Sequence, residues 1–91
     1  MQSKEIIPLE ARSLAEICKT LTRDQMYAIS TEIQVDLKVS PRSVENWARY
    51  GARPGNYSQR RDIARIVKDY FHFKVSPAVL AETLFPQHQA R

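Results

Sequence analysis

Ninety-one residues suffice for one small domain, and a chain of that size buries only about 60–65% of its unfolded surface, so a modest core is expected and deep enclosed pockets are not. Hydrophobic residues at 43% and charged residues at 26% argue against wholesale disorder, and no apolar run approaches the roughly 20 residues of a membrane span. The net charge of +4 is unevenly placed: residues 42–68 hold seven basic side chains, six of them arginine, against two acidic ones.

In chain order the pattern is helical. Leu14, Ile17, Cys18 and Leu21 repeat at the spacing of one helix face, which predicts a first helix over about residues 9–20 with Pro8 at its start. Thr22 and Gln25 have the spacing of a capping box, with Leu21 and Met26 as the flanking apolar pair. Met26, Ile29, Ile33 and Leu37 then carry a second helix from Arg23 to Lys38, uninterrupted at Ser30-Thr31. Ser40-Pro41 is a strong start signal: serine caps the free N–H groups, and proline at the first helical position loses no hydrogen bond. A short third helix follows from Pro41 to Tyr50, ended by Gly51 and Pro54-Gly55. Ser58 is expected to open a fourth helix, about residues 58–73, buried through Ile63, Val67, Tyr70 and Phe71. Ser76-Pro77 opens a fifth, about residues 77–85, with Val79, Leu80 and Leu84. The tail from Gln87 to Arg91 is expected to fray. The chain therefore reads as a single all-α domain, a bundle of about five helices. Lys38-Val39-Ser40-Pro41 recurs as Lys74-Val75-Ser76-Pro77, read as one helix-start device used twice rather than as a repeat.

The third helix carries the chemistry. At 100° per residue, Val44, Trp47 and Ala48 share one side, and Arg42, Asn46 and Arg49 fall within about 60° of each other on the opposite side. Arginine can fork onto guanine O6 and N7, and asparagine can pair with adenine N6 and N7, so such a face suits the major groove of DNA. Trp47, Tyr27 and Tyr70 are assigned to the core or its edge, and Tyr50 and Tyr57 to the flanks of a basic loop. Glu45 could accept from cytosine N4, but a pair with Arg49 one turn on is the plainer reading.

The segment from Glu32 to Trp47, with Ile33 and Leu37 on the first helix, Val39-Ser40 at the turn and Val44 and Trp47 on the second, resembles the helix-turn-helix of phage-repressor-like (lambda repressor/Cro) DNA-binding domains. The likeness spans about residues 23–73, with the helix-turn-helix itself at about 23–50. Where that family usually has glycine before the turn, this chain has Lys38, and Gln34 stands where a small residue is common. The resemblance implies sequence-specific double-stranded DNA binding by a transcriptional regulator of phage or mobile-element type. It places Arg42, Ser43 and Asn46 at base edges and implies a phosphate contact for Ser40 besides its cap. Arg49, Arg53, Arg60 and Arg61 read as phosphate binders, the last two at the free N–H groups that open the fourth helix.

Other readings follow from the same residues. A protein-interaction module using this scaffold to hold an acidic partner is the alternative, and single-strand or RNA binding would call for more exposed aromatics than Tyr50 and Tyr57. A homodimer on a palindromic site fits the resemblance, with the fifth helix, Leu84-Phe85 included, as the candidate surface. No nucleophile–base pair, phosphate loop or metal-ligand set is legible; His72 and His88 lie far apart. Neither an enzyme nor a cofactor is expected. The single cysteine, Cys18, and an N-terminus without the apolar core of a secretory leader point to a reducing, cytoplasmic setting without membrane contact.

Overall fold

The computed structural model describes residues 8–86, and the expected fraying of residues 87–91, the histidine at 88 and the first seven residues lie outside that range. Among the described residues there are five α-helices and no strand: α1 (Leu14–Cys18), α2 (Arg23–Leu37), α3 (Pro41–Ala48), α4 (Tyr57–Phe71) and α5 (Pro77–Leu84). A single 3-10 turn, Leu9–Ala11, precedes α1. None of these helices is long and apolar enough to cross a membrane.

The expected first helix over residues 9–20 is broken in two. Arg12 is extended, and Ser13 caps a new helix: its hydroxyl accepts the Glu16 N–H while the Glu16 carboxylate accepts the Ser13 N–H, each at 3.3 Å. This capping box interrupts what the apolar spacing alone would continue. The chain leaves α1 after Cys18, which packs against the core from the last turn, and Leu21 does so from the connection. The box at Thr22 and Gln25 forms as expected, at 2.9 and 3.2 Å, and α2 runs unbroken through Ser30-Thr31.

α2 and α4 end in the same way. Lys38 and His72 both take the left-handed conformation, with φ of 57° and 59°. The following N–H groups of Val39 and Phe73 reach back to the carbonyls of Gln34 and Lys68 at 3.2 and 3.0 Å, completing Schellman motifs, and both apolar side chains turn into the core. A lysine in this region carries a steric cost from its Cβ that glycine does not. Lys38→Gly is therefore expected to stabilise the fold by about 0.5–1 kcal/mol despite glycine's greater freedom in the unfolded chain. Thermal unfolding of the two proteins checks this, and a lower melting temperature for Lys38→Gly contradicts it.

Ser40 and Ser76 cap α3 and α5 with Pro41 and Pro77 in the first turn, so the recurring Val-Ser-Pro segment is one start device used twice. α2, α4 and α5 end one or two residues before the expected bounds, and two further differences have a clear local cause. α3 stops at Ala48 rather than Tyr50, where Arg49 caps it and Gly51, at φ 75°, turns the chain. α4 begins at Tyr57 because Asn56, not Ser58, is the cap; the Asn56 Oδ1 accepts the Ser58 N–H at 2.8 Å.

The core centres on α4, where Ile63, Ala64, Ile66 and Val67 are all buried. α5 packs along α4 through Leu80, Ala81 and Leu84; α2 contributes Ile29 and Ile33 on another side, and α3 lies against α2 through Val44 and Ala48. α1 closes the bundle against α3 and α5 with Leu14 and Ile17. Three expectations fail, the first at Val79 of α5, which is 55% exposed while Leu80 and Leu84 face inward. Tyr27 is 73% exposed, because it lies one position from Met26 and falls outside the inward stripe of α2, whereas Tyr70 is half-buried, edge-on to Phe71. Leu84 and Phe85 are buried against the core, so they offer no surface to a second copy. Trp47 is half-buried, packed on the core beside Leu84 and Phe85 at a cavity of about 260 Å³.

Candidate nucleic-acid interface

α3 is held by a capped first turn and by one buried side. The Ser40 hydroxyl accepts the Ser43 N–H and donates to the Ser43 hydroxyl, both at 3.2 Å, and Pro41 presets the first helical φ. Val44 and Ala48 are buried while Trp47 braces the same side. That leaves Arg42, Asn46 and Arg49 exposed on the outward side, brought together as the helical spacing predicts, and Ser43 half-buried at the edge. The side chains of Arg42 and Asn46 have no hydrogen-bond or ion-pair partner among the described residues. Arg49 pairs with Glu45 at 3.9 Å, with both side chains about half exposed or more. Such a pair is weak in high dielectric and releases its arginine readily.

The connection 38–40 joins α2 to α3 in three residues, with Lys38 exposed at the corner. After α3 the chain folds back: the Ala52 N–H donates to the Asn46 carbonyl at 3.0 Å. Two of the expected phosphate binders hold this loop in place. Arg53 donates from Nε to the Phe85 carbonyl at 3.1 Å, tying the loop to the end of α5. Arg60 donates from Nη1 to the carbonyl of the buried Pro54 at 2.7 Å and lies over the Tyr57 ring, 5.6 Å from its centroid. A guanidinium has five N–H donors in a rigid fork, so each arginine keeps others for an anion. Arg61 is exposed with no partner among the described residues.

The rest of the basic segment is spent on α4 itself. Arg65 pairs with Asp62 at 3.6 Å, and Lys68 donates from Nζ to the Phe73 carbonyl at 3.0 Å, closing the end of its own helix. Tyr50 is 69% and Tyr57 45% exposed, flanking the loop on either side. The anchoring roles of Arg53 and Arg60 were not legible in the sequence. Tyr57 and Arg60 do stand three apart on one helix, a spacing that signals their contact. No residue spacing signals a bond from Arg53 to a carbonyl 32 residues away.

Among the described residues no group of three or more histidine, cysteine or acidic side chains is arranged to hold a metal ion. No family model, curated protein or solved structure matches this chain.

Proposed function

We propose that this protein binds double-stranded DNA sequence-specifically, as a transcriptional regulator of phage or mobile-element type, with α2 and α3 acting as a helix-turn-helix and α3 entering the major groove. The observation that carries this reading is the outward face of α3. Arg42 and Asn46 stand exposed and unpartnered on a short, rigidly capped helix whose other side is buried. Side chains left unpaired on a rigid element are what base-edge recognition requires. Ser43, half-buried at the edge of that face, suits a contact to a base or to the sugar–phosphate edge. Arg49, Arg53, Arg60 and Arg61 supply cations at the end of α3, in the loop and at the start of α4, where they suit phosphates flanking the groove. The likeness of the 32–47 segment to phage-repressor-like domains supports the same reading.

Selection from random duplex DNA tests it. A defined motif is the expected result; salt-sensitive binding with no sequence preference overturns base reading and favours an acidic partner. Arg61→Ala is expected to weaken binding to all sequences alike and to lower the slope of log K against log salt by about one. Titrations over a range of salt check this, and because Arg61 is unpartnered the melting temperature should not move. An unchanged slope removes Arg61 from the phosphate contacts.

A further inference from the structure

A groove of about 590 Å³ lies at the corner formed by the end of α1, the first turns of α2 and the end of α3. That volume falls within the range of single small-ligand sites. Its floor is apolar, made by Cys18, Leu21, Met26 and Ala48. Burial pushes the Cys18 thiol up to about 11, so the floor carries no charge near neutral pH. The exposed Tyr27 ring forms one wall. Around this floor stand Lys19, Arg23 and Arg49, and no lining residue is acidic. Lys19 and Arg23 are exposed and have no partner among the described residues, while Arg49 has only its loose pair with Glu45. The amino end of α2, at Thr22 and Arg23, adds positive potential at the same corner.

We infer that this groove is a binding site for a small anionic amphiphile, of the class of a free fatty-acid carboxylate. The chain lies on the apolar floor, and the carboxylate is held by the surrounding cations. An uncharged floor with a cationic rim discriminates by head-group charge: an alcohol of the same chain length gains the floor alone, and a quaternary ammonium is repelled. Arg49 belongs both to this rim and to the outward face of α3, so a bound carboxylate draws it from the DNA-facing side. Ligand and DNA then oppose each other, each weakening the other by the same factor. That consequence rests on the DNA-binding reading; the site itself does not.

The one thiol of the chain reports on the floor directly. The rate of Cys18 alkylation by a maleimide is followed with decanoate, decanol or decyltrimethylammonium below micelle-forming concentrations. Saturable slowing by decanoate at one ligand per chain is expected, with little or none by the other two. Unfolding by an amphiphile would speed alkylation, the opposite sign. In the double variant Lys19→Gln/Arg23→Gln, decanoate affinity is expected to fall about tenfold or more, the loss of charge-assisted contacts, with an unchanged melting temperature. Equal slowing by all three compounds, no slowing by decanoate, or undiminished affinity in the double variant overturns the site. So does slowing that grows with protein concentration alone, which makes a second copy the occupant. No DNA is present in these measurements, so they fail independently of the DNA reading. If a duplex motif is found and saturating decanoate leaves its affinity unchanged, the opposition through Arg49 is wrong while the site stands.

Discussion

Leu80→Ala is expected to destabilise the protein by about 2–5 kcal/mol, the cost of deleting a fully buried leucine and leaving a cavity that its neighbours fill only in part. Leu80 is 0% exposed and sits where α5 packs along α4, the most extensive helix pairing in the fold. At about 0.05–0.15 kcal/mol per residue, a domain of 91 residues has a total stability of about 5–14 kcal/mol, so this one truncation removes a large share of it. Urea unfolding should show a lower midpoint with an unchanged slope, since the same surface is exposed on unfolding. Val79→Ala, next in sequence but 55% exposed, serves as the control and should stay within about 0.5 kcal/mol of the parent. A loss below about 1 kcal/mol for Leu80→Ala means that α5 is not part of the cooperative core. The effect also reaches the candidate interface. Arg53 hangs the loop after α3 on the Phe85 carbonyl, so a loosened α5 frees that loop before it frees α3 itself.

What could be read from the sequence was set by local chemistry. The caps at Thr22, Ser40 and Ser76 involve partners within three residues, and they fix the starts of α2, α3 and α5 without reference to the rest of the chain. Arg42 and Asn46 were legible for the same reason: once Ser40-Pro41 sets where α3 begins, the helical period assigns their face. The first helix was misread because two local signals compete. Apolar spacing from Leu14 to Leu21 argues for continuity, while Ser13 and Glu16 make a stop and a fresh start, and hydrogen-bond satisfaction prevails over periodicity. Ser58 lost to Asn56 by a similarly small margin, since both residue types cap well. Tyr27 and Phe85 show the opposite limit. An aromatic can be buried or exposed with little local preference, and only the packing of distant elements decides between them. Arg53 and Arg60 read as phosphate binders, and their bonds within the fold are not legible because the acceptors are backbone carbonyls, which every residue has and no side-chain pattern marks.

Replacing both Arg42 and Asn46 by alanine is expected to abolish sequence preference at the positions they read, at a cost of about 1–3 kcal/mol for each lost pair of contacts. The two lie four residues apart on one face of α3, close enough to share a base step, so the double variant need not equal the sum of the singles. Taken together the loss brings the specific site toward the protein's non-specific affinity. The change should appear as a flattened motif in a repeated selection from random duplexes, while the salt slope stays near that of the parent because Asn46 carries no charge and Arg42 is assigned to a base rather than a phosphate. Arg42→Lys separates charge from geometry: an ammonium keeps the cation and can still donate to guanine O6 or N7 but lacks the planar fork, so its preference should fall between parent and alanine. Neither side chain has a partner within the described fold, and alanine is the better helix former, so stability should hold within about 0.5 kcal/mol. A loss of binding therefore cannot be assigned to unfolding. If the double variant selects the same motif as the parent, α3 does not read bases and the outward Arg-Asn-Arg face is a solvated surface.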